Sequence, residues 1–527
     1  MLGPILAHDV AEAFMRPVVA RIFSSTQIFA ANGPAMNRPL PIAFLAAFLP
    51  LAFSLAAQQQ PNPLAPYIKE DASVLVLEHV TIIDGTGAAP QQDMRIDIAG
   101  NRIIAVQPAN PSIPYPGSAK ILDLTGKTVI PGIVGMHEHL FYPLPDRPDA
   151  GNAIYGEMAD SAPRLYLAGG VTTARTAGSV EPYTDLELKK QIDAGLTPGP
   201  RLDVTGPYLE GKGTFALQMH QLTDADDAGR TVDYWAAEGV TSFKAYNYLT
   251  SDELRMAIRH AHIRGLKITG HLCSIGFKEA ADMGIDNLEH GIVVDTEFYP
   301  GKRPDVCPNA SAVEKDLETN VNLAGPEVTA MILDLVAHHV AITSTLAIFE
   351  TFIPNRPPLA FENAKLKVLT PEAQTSYLAT RARLAEQAAN ANPLQQGGTP
   401  RLLKIEMQFE REFVLAGGLL TAGCDPTGYG GVIPGFGDQR NIELLVEAGF
   451  TPVQAIQIAT LNGAKYMGQA ATIGSIAPGK KADLVVLGGN PADKIENIEK
   501  VETVFKDGIG YDPAKLIQSV TGLVGLR

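Results

Sequence analysis

Basic residues are in short supply in this chain. It has 42 lysines and arginines against 57 aspartates and glutamates, a formal charge of -15. Nucleic acid calls for a basic footprint, so no nucleic-acid partner is expected. A solvated acidic surface suits a protein that handles small molecules. Cysteine is nearly absent, with three in 527 residues. An odd count in a chain of this size is not a disulfide framework. Cys273 and Cys424 each stand beside a candidate ligand and could lie near one another, but both read as small buried hydrophobes. The third is Cys307. Internal repeats and low-complexity runs are missing. Charged residues are 19% and aromatics 7% of the chain, ordinary for a folded enzyme and unlike a disordered one.

Long apolar runs are also missing, with one exception near the start. From Met36 the chain reads MNRPLPIAFLAAFLPLAFSLAAQQQ. Arg38 is a short basic region, Leu40 to Leu55 an apolar stretch, and Ser54-Leu55-Ala56 a small-x-small cleavage pattern. This has the form of a secretory signal peptide. Its prolines and short length favour cleavage over anchoring, so no stable membrane span is expected after cleavage. Translation is read as starting at Met36, and the mature protein as periplasmic or extracellular. The alternative is an uncleaved N-terminal anchor.

What the chain does have is enough apolar material, 46%, for a large core, and a length that suits one big domain and a smaller one. Residues 58–128 follow the upstream segment and signal (1–57) and alternate apolar and polar residues between Gly and Asp-Gly turns, a strand pattern. Residues 472–527 resume it. The two β-rich ends predict a small β-sandwich domain built from both ends of the chain. Residues 129–471 alternate strand-like runs with helical stretches eight times, which predicts a (β/α)8 TIM barrel. Two long connections, about 293–326 and 352–400, break the rhythm; excursions of this kind act as lids or substrate walls.

Side chains two apart on a strand share a face, so His137 and His139 project together and can chelate one ion. Lys244, His271, His290 and Asp425 stand where later apolar runs end, where barrel enzymes keep their catalytic groups. The ordered set suggests a two-metal hydrolase. Tyr246 shares a strand face with Lys244 and could donate to a developing oxyanion or a substrate carboxylate. His220, in the loop after the third strand, could contact substrate or be a plain surface histidine. Glu138 points away from its histidine neighbours and reads as structural. The other histidines (His8, His79, His260, His262, His338 and His339) receive no site role.

The segments VIPGIVGMHEH, VTSFKAY, ITGHL, NLEHG and TAGCDPTG, with IGSIAPGKKADLVVL, resemble the amidohydrolase superfamily. Within it they are most similar to the imidazolonepropionase-like, prolidase-like group with a lysine on strand four. The resemblance implies two divalent ions, zinc by default, with manganese, cobalt or iron open to the same ligands. It implies that His137 and His139 bind the more buried ion and His271 and His290 the more exposed one. It further implies that Lys244 is carboxylated by CO2 and bridges both, and that Asp425 completes the buried site and acts as general base. A free ammonium has no lone pair to offer a cation, whereas a carbamate is a bidentate anion suited to ions about 3.5–4 Å apart. The implied activity is cleavage of a C–N amide bond in a dipeptide, an N-acyl amino acid or a similar small amide by a hydroxide held between the ions. Alternatives are a mononuclear cyclic-amide hydrolase or deaminase, an esterase or lactonase on the same site, and, remotely, a non-catalytic barrel scaffold. Relatives commonly form larger assemblies, so a homo-oligomer is a further expectation.

Overall fold

The structure, a computed structural model, describes residues 62–110, 112–144, 153–359, 365–390 and 399–525. The signal-like segment lies outside the described residues. The two β-rich ends meet in one nine-stranded sheet. From the first end come β1 (Ile68–Glu70), β2 (Val74–Ile82), β3 (Gln91–Ala99), β4 (Arg102–Pro108), β5 (Lys120–Asp123) and β6 (Thr128–Pro131). The ends are joined where β6 pairs antiparallel with a strand from the far end, Val129 opposite Val486. Strand β2 shows how sequence sets this sheet. Leu75 and Leu77 face the core, a bulge at Glu78-His79 shifts the register, and Val80 and Ile82 face the same core afterwards. His79 takes up the extra residue with φ +58°. The core collects Leu75, Leu77, Ile96, Ile98, Ile103, Leu484 and Phe505.

The barrel begins with β7 (Ile133–Glu138). A hairpin, β8 (Phe141–Pro143) with β9 (Tyr155–Glu157), rides above it. The remaining staves are β10 (Val171–Thr176), β11 (Arg201–Asp203) continued by β12 (Thr205–Leu209), β13 (Ser242–Ala245), β14 (Lys267–Gly270), β15 (Asn287–Glu289), β16 (Ala341–Ser344) and β17 (Leu420–Ala422). Counting β11 and β12 as one bent stave, this is the predicted eightfold alternation of parallel strands and helices. All neighbouring pairs run parallel. The ring closes where the Asp425 amide donates to the His137 carbonyl at 2.9 Å. Gly423 is required there, because a Cβ would overlap the His137 backbone nitrogen. Beyond the barrel, β18 (Leu484–Leu487), β19 (Val501–Lys506) and β20 (Ile509–Tyr511) return to the first sheet.

The helices follow local rules. Ser251–Ile263 starts in a capping box of Thr250 with Glu253. It buries Leu254, Ala257, Ile258 and Ala261, the i, i+3, i+4, i+7 stripe of a helix packed on a sheet. Inside the barrel the layer is polar rather than aliphatic. Thr269 donates to Asn287 at 2.8 Å, and the Asn287 amide donates to Thr343 at 3.0 Å. Arg175 donates to Glu289 at 2.7 Å.

One expectation fails. Cys273 pairs with Cys307 in a disulfide, and Cys424 is free and buried. The excursion after β15 folds back over the β14 loop and so brings together residues 34 apart, a proximity that spacing could not reveal. That excursion carries the helix Ala310–Asn320; the next one follows the short helix Leu346–Thr351 and carries Pro371–Ala389. Among the described residues no helix is long and apolar enough to cross a membrane.

Candidate metal centre

The six predicted ligands come to one end of the barrel. His137 is the penultimate residue of β7 and His139 follows the strand, their rings edge to face at 5.2 Å. His271 follows β14, and its amide donates to the Ala245 carbonyl at 3.0 Å. His290 follows β15, its ring 4.6 Å from that of His137 and 4.4 Å from that of His271. Asp425 follows β17 and stands among the histidines. Its oxygens lie 3.4 Å from His139 Nε2, 3.8 Å from His137 Nε2 and 3.8 Å from His290 Nδ1. His137, His139 and Asp425 offer ligand atoms all within 4.8 Å of one another. Lys244, 1% exposed, ends β13 with its Nζ 3.9 Å from Glu289 Oε1.

Burial and the neighbouring Lys244 push His137 down to about 4 and His271 down to about 3. Burial and the rings of His271 and His137 hold His290 well below its ordinary value. Burial opposes ionisation of Asp425, but His137, His139 and His290 outweigh it and hold the carboxyl well below the usual range. Burial draws Lys244 down to about 8 against the pull of Glu289. The result is neutral imidazoles at His137, His271 and His290 beside an ionised carboxylate, the protonation states that a divalent cation requires of its ligands. The tautomers agree. His137 Nδ1 donates to Glu289 Oε2 at 2.8 Å and His139 Nδ1 to the Gly178 carbonyl at 3.3 Å, which leaves both Nε2 lone pairs facing Asp425. The donor set fits a metal.

The amidohydrolase family model matches residues 411–509, the segment holding β17 and Asp425. An imidazolonepropionase from Geobacillus kaustophilus is 24% identical over 401 residues, covering 74% of this chain and 82% of that protein. Among solved structures, a Xaa-Pro dipeptidase with methionine bound in its active site is 21% identical with a TM-score of 0.60, covering 84% of this chain and 100% of that one. Phenylurea hydrolase B is 20% identical with a TM-score of 0.59, covering 86% and 100%. Residues 411–509 thus resemble the amidohydrolase family, and the fold is shared with these two solved hydrolases.

Behind the candidate ligands stands a residue the sequence reading passed over. Glu289 is fully buried and accepts from Arg175, His137 and Thr269. Burial opposes its ionisation, yet Arg175, Lys244 and His137 hold its carboxyl well below the ordinary value. An acid inside the run NLEHG was the available signal. On a regular strand its neighbour His290 would face the opposite way. His290 escapes that rule with a left-handed φ of +71°, so both side chains reach the barrel interior. Thr345 is a second such residue, its hydroxyl 2.7 Å from His290 Nδ1.

The other expected residues fall in different places. The Tyr246 ring lies 5.0 Å from that of His271 and 4.9 Å from that of Tyr208, on the wall of the site. His220 is exposed and paired with Asp227 at 3.2 Å, and none of its described contacts reaches the histidines. Glu138 is buried behind the site, accepting from the Cys424 thiol at 3.0 Å and the Cys424 amide at 3.3 Å. It thereby ties β7 to the turn that carries Asp425.

Proposed function

We propose that this chain is a metal-dependent hydrolase that cleaves a C–N amide bond in a small substrate, a dipeptide or an N-acyl amino acid, and that it uses two ions. The observation that carries the reading is the buried meeting of four imidazoles, Asp425 and Lys244 at one end of the barrel. His137, His139 and Asp425 would hold one ion, His271 and His290 a second, and Lys244, as its CO2-derived carbamate, would bridge them. When bound, such ions polarise a carbonyl and make water nucleophilic near neutral pH. Zinc suits these ligands.

The chain's own groups have definite parts. Asp425 is ionised and accepts from the Thr427 hydroxyl at 2.8 Å, so it is placed to take a proton and return it to the leaving nitrogen. The Tyr246 phenol, on the wall beside His271, is held protonated chiefly by burial and can donate to a substrate oxygen. Glu289 fixes the His137 tautomer through Nδ1. A single-ion cyclic-amide hydrolase is the second reading. It is favoured by His137, His139 and Asp425 forming the tight group without His271 and His290, and by similarity to imidazolonepropionases. Export to an oxidising compartment completes the proposal, supported by the signal-like segment from Met36 and by the Cys273–Cys307 disulfide.

Metal per chain, measured by elemental analysis on protein supplied with zinc and bicarbonate, tests this. Two ions per chain with hydrolysis of dipeptides or N-acyl amino acids is the expected result. One ion would move the chain to the single-ion reading, and no bound metal would overturn both.

A further inference from the structure

Beside the metal centre is a cavity of about 410 Å³, within the roughly 300–1,000 Å³ of small-molecule sites. Both long excursions build it. Val293 comes from the first; Phe352 and Leu384 come from the second; Leu402 and Leu403 come from the helix that follows. Phe349 joins it to the catalytic end. Its ring is on the cavity wall and stands edge-on to His290 at 5.7 Å. The opposite link is the turn after Asp425. Thr427 donates to the Asp425 carboxylate, and the next two residues, Gly428 and Tyr429, line the cavity. A molecule with its scissile carbonyl beside His290 and Asp425 therefore has an apolar chamber within reach on the β15–β17 side.

The lining states the chemistry. Its charged residues are Arg383, which is exposed, and Glu314, which is half-buried and whose carboxyl burial pushes up. The inner wall is aliphatic and aromatic, with Leu402 and Leu403 at 7% and 3% exposure. The lining also offers the hydroxyls of Ser311, Thr380 and Thr399, too few to replace the hydration of a charged substituent, whereas an apolar one gains against the aliphatic and aromatic wall.

We propose that this cavity is the specificity pocket of the enzyme and receives a bulky apolar group, aromatic or branched aliphatic, carried on one side of the scissile amide. This rests on the hydrolase reading above. The substrates it selects are then small amides with a phenyl-sized or larger hydrophobic arm, rather than amides of glycine or acetate alone.

The test compares the zinc-loaded enzyme on N-acetylglycine, N-acetyl-L-phenylalanine and N-benzoylglycine, which place the bulk on neither side, the amine side and the acyl side. The pocket requires kcat/KM for at least one bulky substrate to exceed that for N-acetylglycine by about tenfold or more. Leu384→Trp, at a half-buried lining position, should cut that ratio by about tenfold, and Thr380→Trp is a second filling variant from the same helix. A ratio near one, or one that neither substitution moves, overturns the pocket. If wild type hydrolyses none of the three, the hydrolase reading fails on its own account. The pocket is then decided by calorimetric binding of N-benzoyl-L-phenylalanine. Binding weakened about tenfold by Leu384→Trp supports it, and absent or unchanged binding overturns it.

Discussion

Glu289→Gln is the most informative single substitution, because it removes a charge and almost no volume from a position that is 0% exposed. Arg175, 1% exposed, then loses its ion-pair partner at 2.7 Å. Its Nε and Nη1 have no hydrogen-bond partner among the described residues and its Nη2 keeps only the Met136 carbonyl, so the cation is left poorly compensated. Breaking one side of a buried pair costs roughly 3–5 kcal/mol. The glutamine oxygen can still accept one hydrogen bond, which places the expected loss near about 3 kcal/mol. The same change frees His137 Nδ1 from its carboxylate, and losing such an outer partner lowers metal affinity about 10–100-fold. Urea unfolding of metal-free protein reads the first effect, and zinc titration against a chelator reads the second. The double variant Arg175→Met, Glu289→Met separates them. With both charges gone, stability should return to within about 1 kcal/mol of wild type, while metal affinity stays low because His137 is still unanchored. Wild-type stability and zinc affinity in Glu289→Gln would refute the argument, since no buried charge pair would then be supporting the site.

Lys244→Ala should remove most of the metal and activity; full activity in that variant would rule out a bridging role. Asp425→Asn should retain part of the metal and lose turnover, and wild-type turnover would exclude it as the base. Cys307→Ser opens a loop of 34 residues, for which chain entropy gives a loss of about 4 kcal/mol. A denaturation midpoint equal to that of wild type under oxidising conditions would show that the disulfide does not constrain the unfolded chain. Asp295 is buried and raised from 3.8 to about 7, first by burial and then by Glu297. The folded protein thus holds a proton that the unfolded chain releases, and this contribution is lost as pH rises from about 4 through about 7. Asp295→Asn does not titrate, so its stability relative to wild type should climb over that window by up to roughly 4 kcal/mol. A pH-independent difference would show that Asp295 ionises normally in the fold.

The amino-acid order alone determined the class of architecture and which side chains gather as candidate ligands. Strand and helix periodicities are local, so the eight alternations and the two β-rich ends could be read without knowing where anything packs. His137, His139, Lys244, His271, His290 and Asp425 were legible for a related reason. Each stands at the end of an apolar run, and a barrel collects strand ends on one face.

Tertiary structure decided the rest. Glu289 and Arg175 meet only across the barrel interior, and the left-handed backbone at His290 suspends the alternation that sequence reasoning relied on. Cys273 found Cys307 because an excursion folded back, a matter of loop path that residue spacing does not encode. His220, a plausible substrate contact by chain position, turned to Asp227 instead. The apolar chamber beside His290 has walls from several separate stretches of chain, and no one stretch carries its shape. Local order fixes which side chains are offered to the barrel mouth; long-range packing fixes their partners, their charge states and the space left between them.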